Sequence, residues 1–342
     1  MFRVHALFLG AILAGRLAAQ GNAAPTPLAP RDSVLIAEAY HLWSAVADGI
    51  WPGASRMAAP MVYLTDDNEY AIGFPGELKG FSPVPDTAIH RPIQARKRTL
   101  QKDLSASFPF EGTDAAVLGT PEALGKNTAG WVVTAAHEMF HVFQYAHGSD
   151  RKIASLEIGP PMDASWQLTF PFPYQDADVM RLIHLQGYPL WLAATAAPED
   201  AAYNVGTALD AVAVYHAYLD RVRPDGRGYR YSQFQEWNEG VAAYTEYRVA
   251  ERAANGGYQP TAEFAVLPGV QTYQQLWERI YRNHPFLVKH AGRAAQSRTA
   301  FYHLGMGKAL ALDRISPGWK DKYFAPGVWL DDLLAEAVKA AQ

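Results

Sequence analysis

The sequence predicts an α+β fold, with a small mixed sheet in the N-terminal half and a largely helical C-terminal half. Three observations carry that prediction. Short apolar runs broken by turn residues crowd residues 58–120, the pattern of brief strands. From about 128 onward apolar residues recur at three- and four-residue spacing, the pattern of amphipathic helices. The chain of 342 residues is 49% hydrophobic and 19% charged with no long low-complexity run, which suffices for one large domain or two small ones.

The elements follow in order. "MFRVHALFLGAILAGRLAAQGNAAP" opens the chain with basic Arg3 and His5, an apolar run Ala6–Ala14 and small residues near Ala18–Ala24. It reads as a secretory signal, residues 1–24, that is removed on export. The apolar run is too short to span a bilayer and Arg16 interrupts it, so the mature chain is expected to hold no stable membrane span. A Pro/Ala linker (23–32) precedes a helix over 32–48, capped by Asp32 or Ser33 and ended by "WPG". "PMVYLT" (60–65) and "EYAIGF" (69–74) form a hairpin, 87–98 is a strand with one wet face, and "AAVLGT" (115–120) is a further strand. Helices are expected over 128–147, 177–197, 199–222, 231–254, 272–283, 297–314 and 329–341, with Pro- and Gly-rich loops at 170–176 and 223–230. The expected division is an N-terminal α/β subdomain, 25–127, and a helical subdomain, 128–342.

The formal net charge of −4 becomes −6 once Arg3 and Arg16 leave with the signal, and no Lys/Arg block stands out, so no nucleic-acid partner is expected. Cysteine is absent, which excludes disulfides, thiol catalysis and cysteine–zinc sites.

One stretch points to chemistry: "TAGWVVTAAHEMFHVFQYAHGSD" (128–150). His137 and His141 lie four residues apart on the expected helix, roughly 6 Å along its axis, so both imidazoles face one point. Neutral imidazole is a good Zn²⁺ ligand, and a catalytic zinc keeps one position open to water. Glu138 can reach that water as general base and pass its proton on. A third ligand is still needed. His147 completes the spacing H-E-x-x-H-x-x-G-x-x-H of the metzincins except that Gln144 stands where they have glycine. On a continuing helix His147 would lie about 9 Å beyond His141 and turned away. With Gly148 after it, His147 reads better as the end of the helix.

Downstream, "FQEWNEGVAAYTEYRVAE" (234–251) carries Asn238, Glu239, Gly240, Ala242 and Tyr244 in the order of an N-E-G-x-A-x-Y helix. Here the chain resembles the gluzincins, in particular the aminopeptidase-like (peptidase MA) branch of the zincin metallopeptidases, as an exported bacterial relative. The resemblance implies a zincin-like catalytic domain, Glu239 as third zinc ligand and a peptide or protein substrate. It also implies an oxyanion donor at Tyr302, which precedes Gly305 at the family's spacing in "TAFYHLGMG"; His303 and Tyr244 compete for that role. Glu246, seven residues past Glu239, could orient a ligand histidine, and Gln144 faces the same side as His141. The likeness covers roughly 115–145, 234–250 and 298–325. It departs from the branch in two places: 97 residues lie between His141 and Glu239, and the substrate-binding G-x-M-E-N strand is missing. Glu157 and Glu199 are weaker substitutes for Glu239, and His41, His90, His184, His216, His284 and His290 read as structural.

The expected function is an exported zinc metallopeptidase with His137, His141 and Glu239 on the metal and Glu138 as base. Two alternatives stand beside it: a catalytically inactive binding protein on a zincin scaffold, and a metzincin-like peptidase closed by His147.

Overall fold

Six short strands, Met61–Leu64 (β1), Asn68–Ile72 (β2), Ser82–Pro83 (β3), Ile93–Lys97 (β4), Ser105–Phe110 (β5) and Thr113–Gly119 (β6), form one sheet in the computed structural model, in the order β3-β4-β2-β1-β6-β5. The structure describes residues 26–57, 59–85, 88–159, 165–293 and 297–341. The expected signal, 1–24, lies outside them. The sheet is mixed: β1 and β6 run parallel and every other pair is antiparallel. With the many helices that follow, the fold class is α+β. Among the described residues, no helix is long and apolar enough to cross a membrane.

By their contacts the described residues form two compact units, one running to Phe143 with Tyr258–Thr272 added, the other Gln144–Gly257 with the residues from Tyr273 onward. In the first unit, alternation along the strands puts Val62, Leu64, Ala71 and Val117 into one apolar cluster with Phe74 and Phe110. The opposite face lies under the helix Thr128–Ala146, where the Trp131 ring meets Tyr63 edge-on at 5.6 Å. Trp131 Nε1 also donates to the Gly119 carbonyl at the end of β6, at 2.7 Å. Pro30–Val46 is the first helix; its buried Glu38 accepts from Tyr258 Oη and Thr261 N, both at 2.9 Å, and so holds the returning segment.

The second unit is helical. Ala177–Thr195 and Pro198–Val222 pack together, and Thr299–Ile315 is buried on nearly every side against Ala177–Thr195, Val241–Asn255 and Leu330–Ala341. The helix expected over 231–254 begins earlier, at Arg227, and is interrupted: Arg227–Gln235 runs into a π turn, Glu236–Gly240, before Val241–Asn255. The loop expected at 223–230 is therefore shorter. Several short elements escaped the sequence reading, among them β3, β5 and the helices Ser149–Ser155, Trp166–Thr169, Ala262–Ala265, His284–Lys289 and Lys320–Tyr323. Strand β5 ("SASFPF") contains a proline, tolerated because β5 is the edge strand and pairs only with β6. Ser149–Ser155 is a short helix entered through Gly148 at φ +91°. The strand expected over 87–98 shortens to Ile93–Lys97.

Candidate metal centre

The helix Thr128–Ala146 starts at Asn127, whose side-chain oxygen accepts from Gly130 N at 2.7 Å and so satisfies one of the free amides of the first turn. Its apolar face is fixed by Trp131 and by Phe140, which stacks on Trp51 at 5.0 Å. His137 and His141 project together from that anchored helix, 8% and 7% exposed. Their Nε2 atoms lie 3.2 Å apart. Both imidazoles thus offer the same ring atom to one point.

The Glu138 carboxylate is held by the sheet. Ser105 Oγ donates to its Oε1 at 2.7 Å, and Ser107 Oγ lies 2.9 Å from both its Oε2 and its main-chain oxygen. The serines are two apart on β5, so they share a face of that strand. The sequence reading missed them. Their signal, a Ser-x-Ser pair at strand spacing, was hidden because "SASFPF" did not read as a strand.

In the second unit Glu239 lies in the π turn, half-buried, with the guanidinium of Arg298 3.9 Å from its Oε1. Gly240 follows it at a helix crossing: a Cβ on Gly240 would stand 2.5 Å from Gly305 Cα, and one on Gly305 would stand 2.2 Å from the Glu236 carbonyl. Only glycine at both positions lets the two backbones touch. One ligand atom from each of His137, His141 and Glu239 lie within 4.8 Å of one another, and this group can hold a metal ion. No protein-family model, curated protein or solved structure matches the chain.

The competing ligands are placed elsewhere. The His147 ring stacks on Phe324 at 4.7 Å, beyond the end of its helix, and is not part of the metal-competent group. Glu157 sits at φ +53° with its side chain 82% exposed, and Glu199 lies in the first turn of Pro198–Val222, where an acid has a helix-dipole explanation. Tyr302 Oη accepts from Arg298 Nη2 at 3.1 Å, so the guanidinium that faces Glu239 also touches the candidate oxyanion donor. Arg298 was not foreseen; its signal is the four-residue spacing to Tyr302. Burial works against its charge, but Tyr302 and Glu239 outweigh that and hold it protonated. Tyr244 is committed to Asp313, to which its hydroxyl donates at 2.7 Å, and burial raises its pKa far above the ordinary phenol value. His303 is pushed down to about 4, mainly by burial and then by His284, so it is neutral at neutral pH. Glu246 accepts from Tyr281 Oη at 2.5 Å. Gln144 reaches Tyr323 and the carbonyls of Trp237 and Asn238.

Proposed function

We propose that the chain is an exported zinc metallopeptidase with a gluzincin-like site, in which His137, His141 and Glu239 hold the metal and Glu138 is the general base. The observation that carries this reading is the convergence of Glu239 with the paired imidazoles, from a position 98 residues beyond His141 in the chain. The donor set suits zinc: two imidazoles and one carboxylate, with a fourth position left for water or substrate. Nitrogen ligands of a tetrahedral zinc, bound at about 2.0–2.1 Å, lie roughly 3.3 Å apart, and the two Nε2 atoms are 3.2 Å apart here. Zinc at this point would polarise a peptide carbonyl and make a water acidic.

The chain's own residues supply the rest. Glu138 takes the proton of the water that attacks the carbonyl carbon, and returns it to the amine nitrogen as the C–N bond breaks. Ser105 and Ser107 hold its carboxylate in one orientation, so little ordering is left to the reaction itself. The Tyr302 phenol, placed by Arg298, is the donor assigned to the carbonyl oxygen as it gains charge.

The test combines metal content with peptide cleavage by the purified chain. About one zinc per chain is expected. Glu138→Gln should retain the zinc and lose cleavage by about 10²–10⁴-fold, while Glu239→Ala should lose the zinc. A wild-type chain with neither zinc nor cleavage would sink the peptidase and favour a binding protein on the same scaffold. Zinc lost in His147→Ala but kept in Glu239→Ala would move the third ligand to His147. Export is checked by the mass of the mature chain, expected to begin near residue 25.

A further inference from the structure

We propose that Gln144 is a positioning residue for the metal carboxylate, its side-chain amide fixing the backbone of the π turn that presents Glu239. This rests on the zinc reading above. Gln144 is 1% exposed. Its Nε2 lies 2.7 Å from Tyr323 Oη, 3.2 Å from the Asn238 carbonyl oxygen and 3.4 Å from that of Trp237. Tyr323 Oη donates in turn to the Trp237 carbonyl at 2.5 Å. The Trp237 indole stacks on the Tyr323 ring at 5.0 Å and its Nε1 donates to the Tyr323 carbonyl at 3.1 Å. The main-chain oxygens of the two residues just before Glu239 are thus held from outside their helix.

The π turn is where that hold acts. A π turn departs from the regular i→i+4 ladder; the Asn238 carbonyl accepts from Val241 N across three residues, and a carbonyl oxygen, with two lone pairs, can accept from a further donor. The Gln144 amide and the Tyr323 hydroxyl are the donors. Gln144 stands three residues beyond His141 on the same helix, hence on the same side. The helix that carries both imidazoles thus also carries the amide that holds the turn bearing Glu239. Glycine at 144 would end that helix; glutamine instead continues it and gives it a second task.

The experiment reads the zinc dissociation constant of the full chain by competition with a chromophoric chelator, alongside thermal melts. Gln144→Met keeps the unbranched shape and removes both N–H groups. It should weaken zinc binding about 10–100-fold, the usual cost of losing a partner that orients a metal ligand. Tyr323→Phe should act in the same direction, and the double variant should be little worse than the weaker single, because the residues act as one network. Val249→Ala, a buried change in the helix that follows Glu239, should lower the melting temperature without altering zinc affinity. Unchanged affinity in Gln144→Met overturns the proposal. So does an equal loss in Val249→Ala, since the effect would then be stability alone. Should Gln144→Met not fold, Tyr323→Phe decides in its place. Equal zinc binding by wild type and Glu239→Ala would instead remove Glu239 from the metal, and with it the reading on which this proposal rests.

Discussion

Ser105 and Ser107 between them engage both carboxylate oxygens of Glu138, and Ser107 also holds the main-chain oxygen of the same residue. A hydrogen bond to a charged group contributes about 1.5–3 kcal/mol, so each hydroxyl restricts the rotation of the proposed base appreciably. Removing one should leave the metal and substrate binding intact while the base spends less time in its working orientation. We expect Ser105→Ala and Ser107→Ala each to lower kcat roughly tenfold or more, as misplaced catalytic groups do, with KM and zinc content unchanged. Ser107→Ala should be the more damaging because it loses two contacts, and Ser107→Thr, which keeps a hydroxyl, should be milder than either. Steady-state kinetics on a cleaved peptide decide it; a fall in zinc content matching the fall in kcat would show that the serines serve the metal, not the base.

At the scale of elements, the crossing of Gly240 and Gly305 brings the turn that bears Glu239 against the buried helix Thr299–Ile315. A methyl group at 305 would overlap the Glu236 carbonyl, a backbone atom with nowhere to go. Gly305→Ala should therefore destabilise the fold by at least about 1–3 kcal/mol, the common cost of overpacking, and weaken zinc binding by displacing the turn. Denaturant unfolding measures the first effect and chelator competition the second; a Gly305→Ala chain as stable as wild type would mean the helices do not meet there. These elements also show what was legible in advance. His137, Glu138 and His141 could be read because a helix converts a spacing of four into a shared face. Glu239 could not be read from spacing, since nothing local relates residues 98 apart; resemblance of the "NEGVAAY" stretch supplied it. The π turn was invisible because nothing local in "EWNEG" distinguishes it from a continuing helix, and Gly305, against which it packs, lies far along the chain. Strand β5 was missed because serine and proline disfavour strands, a preference that an edge position relaxes. Gln144 looked like a defect in one pattern; its partners are the Trp237 and Asn238 carbonyls and Tyr323, all remote in sequence.

At the scale of the whole molecule, two buried groups should tilt stability with pH in opposite directions. Glu236, fully enclosed in the second unit, is pushed from its ordinary 4.5 up to about 7; burial is the main cause, Lys308 opposes it and Asp331 adds to it. Lys308 lies 2.5 Å from both carboxylates and, although burial works against its charge, the two acids hold it protonated. His303 is shifted the other way, from 6.5 to about 4. The folded state binds more protons than the unfolded state at Glu236, so that contribution is fully present below pH 4.5 and is lost as pH rises through about 7. At His303 the unfolded state binds more, so that contribution is fully present above pH 6.5 and is lost as pH falls through about 4. Each slope is about 1.4 kcal/mol per pH unit at most, and over the shared interval they nearly cancel. Glu236→Gln should remove the first and leave stability rising with pH relative to wild type between pH 4.5 and 7. His303→Gln should have the opposite effect, with stability falling relative to wild type between pH 4 and 6.5. Urea unfolding at a series of pH values measures both, with chelator present so that proton-coupled release of metal does not add its own slope. A Glu236→Gln curve parallel to wild type would mean that Lys308 suffices to keep both acids ionised, and that the buried cluster carries no extra proton at neutral pH.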